Sequence, residues 1–186
     1  MRHLSAILVL SLVLLAACGP QAPLPIGPTG GDFVLQSAAG PVDTKTLRGK
    51  VLLIFFGYTH CPDVCPASLA AGAQALNALT ADERARTRMI MISVDPDRDT
   101  PEQLKDYAAF FHPDMLGVTG SAAQIEVVAR SFGAGYLRQP ARADGSYAVD
   151  HTANTYLVDP DGKLAATISL GTPTADIAAA IRKLLP

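Results

Sequence analysis

Val51-Leu52-Leu53-Ile54-Phe55-Phe56-Gly57-Tyr58-Thr59-His60-Cys61-Pro62-Asp63-Val64-Cys65-Pro66 is the stretch on which the reading of this chain turns. Its first six residues form a continuous apolar, β-prone run bounded by Gly49 and Gly57. Such a run reads as a strand buried on both faces, hence central and parallel. The Ala- and Leu-rich segment from Pro66 to Leu79 reads as a helix. Two cysteines therefore fall between a central strand and the helix that follows it. A thiol at a helix N-terminus is expected to have a lowered pKa and to be rich in thiolate. Thiolate both attacks disulfides and binds metals. Cys61 and Cys65 stand at i and i+4, so a helix beginning near Pro62 puts both sulfurs on one face.

Outward from this stretch the pattern repeats. Arg88 to Val94 is a second buried strand, and Thr100-Pro101-Glu102-Gln103 carries an N-cap, a proline at the first helical position and a capping-box Gln. The helix that follows runs to about Phe111. Another helix spans Ser121 to Ser131, with Gly133 placed to end it. Tyr136 to Arg138 and Ser146 to Val149 flank a polar loop with a turn at Asp144-Gly145. Thr155 to Val158 and Leu164 to Leu170 form a hairpin around Asp159-Pro160-Asp161-Gly162, and a helix capped at Thr174 or its neighbour runs to Leu185. Asp32 to Leu35 is a short leading strand. Parallel βαβ units, then an antiparallel hairpin and a closing helix, make an α/β protein with a mixed central sheet covered by helices on both faces. A thioredoxin-like fold has this arrangement.

The 186 residues fit one domain, and the net charge of −2 gives no basic surface for nucleic acid. Arg2 and His3 precede an apolar run from Leu4 to Ala17, too short to span a membrane and ending in small residues. Residues 1–17 read as a signal peptide. Leu15-Ala16-Ala17-Cys18 looks like a bacterial lipobox, in which Cys18 is lipidated; an ordinary signal peptide is the alternative. Residues 18–30, proline-rich from Gly19 to Pro25, read as a flexible tether, and residues 31–186 as the folded domain. The expected location is extracytoplasmic, on the periplasmic side, anchored to a membrane through lipid on Cys18.

Of three cysteines, two remain, Cys61 and Cys65, in an oxidising compartment. A disulfide between them closes too short a loop to add much stability, so a purely structural bridge explains them poorly. Two thiolates favour Cu(I), or zinc with more ligands. Of four histidines, His3 lies in the signal peptide, His60 is expected to point away, and His112 stands near a helix end where a cation is favoured. His151, in Val149-Asp150-His151-Thr152, precedes the strand that faces the cysteine loop. Two sulfurs and one imidazole suit three-coordinate Cu(I), and with a further donor Cu(II). Structural zinc wants a fourth ligand, and none is well placed. Asp150 is the second-shell candidate, orienting His151 or a neighbouring backbone group. The acids of Val94-Asp95-Pro96-Asp97-Arg98-Asp99-Thr100 lack the glycine and glutamate of a calcium loop and read as a strand-to-helix turn, with partner docking as the functional alternative.

Three segments, Gly57 to Pro66, Ile92 to Pro101, and Asp150-His151-Thr152 with Tyr156 to Gly162, together resemble the SCO/SenC family of copper chaperones. The resemblance covers roughly Phe33 to Leu185. It implies a thioredoxin-like fold with an inserted hairpin loop near the histidine, and copper held by Cys61, Cys65 and His151. It also implies delivery to the dinuclear copper centre of cytochrome c oxidase subunit II. The usual family anchor is a membrane-spanning helix, so the lipobox is a departure. An upstream periplasmic copper donor and a thiol reductant are the further expected partners, because a Cys61–Cys65 disulfide cannot bind copper. On this reading the chain is not an enzyme. The alternative is a thiol–disulfide oxidoreductase keeping the acceptor's cysteines reduced. Against it stand the C-x-x-x-C spacing and Thr152-Ala153-Asn154 where thioredoxins carry a proline. A peroxidase using Cys61 and Cys65 ranks lowest, for want of an activating arginine.

Overall fold

The computed structural model describes residues 27–186. Residues 1–17, expected to be a signal peptide, and Cys18 lie outside the described residues. A small hairpin, β1 (Val34–Ser37) and β2 (Gly40–Asp43), leads through a short 3-10 turn (Thr44–Leu47) into β3 (Val51–Gly57). Then come α1 (Val64–Asn77), α2 (Ala81–Ala85), β4 (Thr87–Ser93), α3 (Pro101–Phe111), β5 (Leu116–Val118) and α4 (Ala122–Phe132). A ribbon of β6 (Tyr136–Arg138) and β7 (Val149–His151) precedes β8 (Thr155–Val158), β9 (Leu164–Ile168) and α5 (Thr174–Leu184).

The main sheet runs β5-β4-β3-β8-β9. β3 pairs in parallel with β4 and antiparallel with β8, and β4 pairs in parallel with β5. Every residue of β3 is buried, as its unbroken apolar run requires of a central strand covered on both faces. α1 and α5 pack together, while α3 lies against β5 and β1. β8 and β9 form the expected hairpin, which turns with Gly162 at φ +83°. This is a mixed α/β, thioredoxin-like arrangement, with the cysteine loop at the carboxyl end of its central strand.

Side-chain caps account for three of the five helix starts, those of α2, α3 and α4. Thr100 and Ser121 cap α3 and α4, with Gln103 and Gln124 completing reciprocal capping boxes. Gly133 closes α4 in the left-handed region at φ +69°. α5 differs: Thr174 is its first residue, and its hydroxyl reaches Gln74 on α1 instead of capping. Four elements go beyond the sequence reading: β2, the 3-10 turn, α2 and β5. Thr80 and Glu83 form a capping box on the single-turn α2, and β5 is too short to show a period. The packed body also starts before residue 31. Gly30 N–H donates to the Ser131 carbonyl, and the Thr29 carbonyl accepts from Leu164.

Candidate metal centre

α1 begins at Val64, so Cys61 sits in the loop ahead of it and Cys65 in its first turn. Tyr58 turns the chain there, its carbonyl accepting from Cys61 N–H. Asp99 fixes the same loop from beneath. Its carboxylate is 1% exposed and accepts from Thr59 N–H (3.0 Å), the Thr59 hydroxyl (2.6 Å) and the Ser93 hydroxyl (2.6 Å).

The third side chain arrives from far along the sequence. His151 ends β7, opposite Tyr136 in the ribbon. Its Nε2 lies 3.2 Å from Cys65 Sγ and 3.7 Å from Cys61 Sγ. All three donor atoms fall within 4.8 Å of one another. The imidazole stands edge-to-face against Phe55 and Tyr58, at 5.9 and 5.8 Å between ring centroids. Its Nδ1 lies 3.2 Å from the Thr152 carbonyl. A proton on Nδ1 donated to that carbonyl leaves the Nε2 lone pair aimed at the sulfurs.

Burial sets the chemistry. Cys65 is fully buried, and that burial pushes its thiol well above the ordinary range, further raised by Cys61 beside it and only partly offset by the Tyr58 backbone. The expectation of a thiolate at the helix N-terminus therefore fails for Cys65: desolvation outweighs the helix field. Burial also lowers the His151 pKa, which keeps the ring neutral and able to donate its lone pair. Gly57 makes room for the sulfur, since a Cβ built on it would stand 2.7 Å from Cys65 Sγ. Both cysteines are free thiols, close enough together for a soft ion to bridge or for a disulfide to form.

Asp150 makes no hydrogen bond to the His151 ring, which feels its charge only at a distance. On a strand, neighbouring side chains face opposite ways, and Asp150 turns outward to accept from Gln139. The Thr152 carbonyl holds the ring instead. His60 is not among the converging donor atoms, and its Nδ1 lies 3.0 Å from the Thr59 hydroxyl. His112 is not a cation beside a helix end. It is buried, its Nδ1 accepts from Asp114 N–H, and burial lowers its pKa. The acidic turn after β4 is a strand-to-helix connection, yet Asp95 and Asp99 are buried in it and only Asp97 is turned outward. The repeated acids could have signalled this only together with the Ser, Thr, Tyr and Arg donors that meet them.

The SCO1/SenC family profile matches residues 22–186. The SCO2 homolog of Bos taurus mitochondria is 42% identical over 134 residues, which cover 71% of this chain and 50% of that protein. The chain thus spans about half the length of the curated relatives it matches. Bradyrhizobium japonicum ScoI, solved with copper bound, is similar at 41% identity and a TM-score of 0.76, over 84% of this chain and 99% of that one. BsSco, solved for its disulfide switch and described as one of the Sco family of cytochrome c oxidase assembly proteins, aligns at 28% identity. Its TM-score is 0.66, over 89% of this chain and 98% of that one. By its sequence profile and its relatives, this chain belongs to the SCO1/SenC family.

Proposed function

We propose that this protein is a copper chaperone that binds copper through Cys61, Cys65 and His151 and delivers it to cytochrome c oxidase. The observation that carries the reading is the convergence of two sulfurs and one neutral imidazole within 4.8 Å. Two soft thiolates and a borderline nitrogen match Cu(I), and the set lacks the fourth ligand of a closed zinc site among the described residues. The acceptor on this reading is the dinuclear centre of subunit II, and copper moves by ligand exchange as acceptor thiolates replace those of Cys61 and Cys65. A periplasmic donor loads the site, and a thiol reductant keeps it loadable. Lipid on Cys18 holds the protein to the membrane, through the proline-rich tether read at residues 18–30. No helix among the described residues is long and apolar enough to cross a membrane.

Competitive Cu(I) titration of the reduced full-length protein in detergent, beside His151→Ala, tests this. One-to-one binding that weakens sharply in the variant is expected. Equal binding by both would remove His151 from the ligand set.

One observation favours a second reading. The two thiols are free and adjacent, as a dithiol reductant requires. In that role Cys61 and Cys65 become a disulfide while an acceptor disulfide becomes two thiols. The deep protonation of Cys65 disfavours it as the attacking sulfur, leaving Cys61 to attack and Cys65 to resolve.

A further inference from the structure

The ribbon that brings His151 to the sulfurs is not part of the main sheet. β6 and β7 pair at Tyr136–His151, Leu137–Asp150 and Arg138–Val149, and one further backbone hydrogen bond at each end, Gln139 N–H to the Ala148 carbonyl and Thr152 N–H to the Gly135 carbonyl, completes the ribbon. A ribbon this short has no independent stability. What fixes it must therefore fix His151.

The contacts converge on Arg98. Its Nε donates to the Asp95 carboxylate, and its Nη1 donates to the Tyr147 carbonyl at 3.0 Å. Its guanidinium lies over the Tyr147 ring at 3.6 Å and toward Tyr58 at 5.6 Å. The Tyr147 hydroxyl returns to Asp95 at 2.7 Å. Arg138 lies 3.8 Å from the same ring, and two guanidinium groups this near one centroid must occupy opposite faces. Arg138 then reaches Asp97 on the same turn as Arg98. Tyr58 completes the circuit: its hydroxyl accepts from Val149 N–H, and its ring faces His151.

We propose that Arg98 and Tyr147 are positioning residues that latch the ribbon to the turn after β4, and so hold His151 at bonding distance from Cys61 and Cys65. This rests on the reading of those three residues as copper ligands. Arg98 is suited to the task because one planar group makes two directed hydrogen bonds and an aromatic stack. Lysine can make neither the fork nor the stack. Tyr147 adds a hydroxyl link to Asp95 that phenylalanine lacks.

The test is a double-mutant cycle of Cu(I) affinity on the reduced full-length protein: wild type, Arg98→Lys, His151→Ala and both together. Arg98→Lys is expected to weaken Cu(I) roughly tenfold in the wild-type background, as lost support of a ligand does. It is expected to change nothing further in the His151→Ala background. An equal loss in both backgrounds, or no loss in either, overturns the proposal. Hydrogen–deuterium exchange of the reduced, metal-free protein reads the latch without copper. Arg98→Lys should speed exchange across 146–151 and leave β3 and β4 protected, and unchanged exchange across 146–151 would overturn it. If His151→Ala binds like wild type, the ligand reading fails, and exchange alone decides the latch. Tyr147→Phe, which keeps the ring stack, serves should Arg98→Lys fail to fold.

Discussion

Nε2 of His151 stands 3.2 Å from Sγ of Cys65, although 86 positions separate the two residues in sequence. The cysteine rides the first turn of α1 and the histidine ends a two-stranded ribbon, so neither element alone makes a site. The candidate metal centre is a product of tertiary structure, and changes that perturb it need not touch Cys61, Cys65 or His151.

Gly57 is one such position. A methyl group there meets Cys65 Sγ and the Phe55 ring, each at 2.7 Å. Gly57→Ala should destabilise the protein by about 1–3 kcal/mol, as overpacking a core does. It should also weaken Cu(I) binding by displacing the sulfur. Urea unfolding and competitive titration read the two effects, and a variant unchanged in both would contradict the packing described.

Asp99 is the second. Its carboxylate takes three hydrogen bonds, two of them from Thr59. Asn keeps one acceptor oxygen and presents an amide donor to groups that also donate. Asp99→Asn is therefore expected to cost about 1–3 kcal/mol, the penalty of buried groups left unpaired. A urea midpoint equal to wild type would show that the loop is held by other means.

Stability should fall on mild acidification. Burial lowers the pKa of His112 and of His151 below the ordinary value. Between the folded pKa and roughly 6.5, the unfolded chain binds protons that the folded chain refuses, so stability falls as pH drops through that window and levels off below it. His112→Gln removes one of the two groups. Unfolding of the reduced, metal-free protein at several pH values should show a shallower acid loss in this variant. Parallel curves would contradict the neutral buried state of His112.

Copper affinity should rise with pH for a different reason. Burial and Cys61 keep the Cys65 thiol protonated at neutral pH, so a metal binding as described must displace that proton. Each proton displaced steepens the apparent Cu(I) affinity by about tenfold per pH unit. A pH-independent affinity between neutral and mildly alkaline solution would show that Cys65 is not displaced as a thiol.

The sequence carried the frame and the three converging side chains, for identifiable reasons. β3 is legible because six apolar residues in a row have few other fates, and α3 because Thr100, Pro101 and Gln103 spell its start. His151 stood out only beside a cysteine pair already assigned to the facing loop. Asp150 misled because adjacency in sequence is opposition on a strand. Helix position alone predicts a thiolate at Cys65, and burial reverses it. Burial likewise overrides the helix-end expectation at His112. Arg98, Tyr147 and Tyr58 carried no local signal, since their roles exist only where three distant segments meet.

The most direct test of the central claim is X-ray absorption at the copper edge of the reduced full-length protein holding one equivalent of Cu(I). Two sulfur donors and one imidazole nitrogen are predicted, with the nitrogen lost in His151→Ala. A spectrum with two sulfurs alone, identical in wild type and variant, would contradict it.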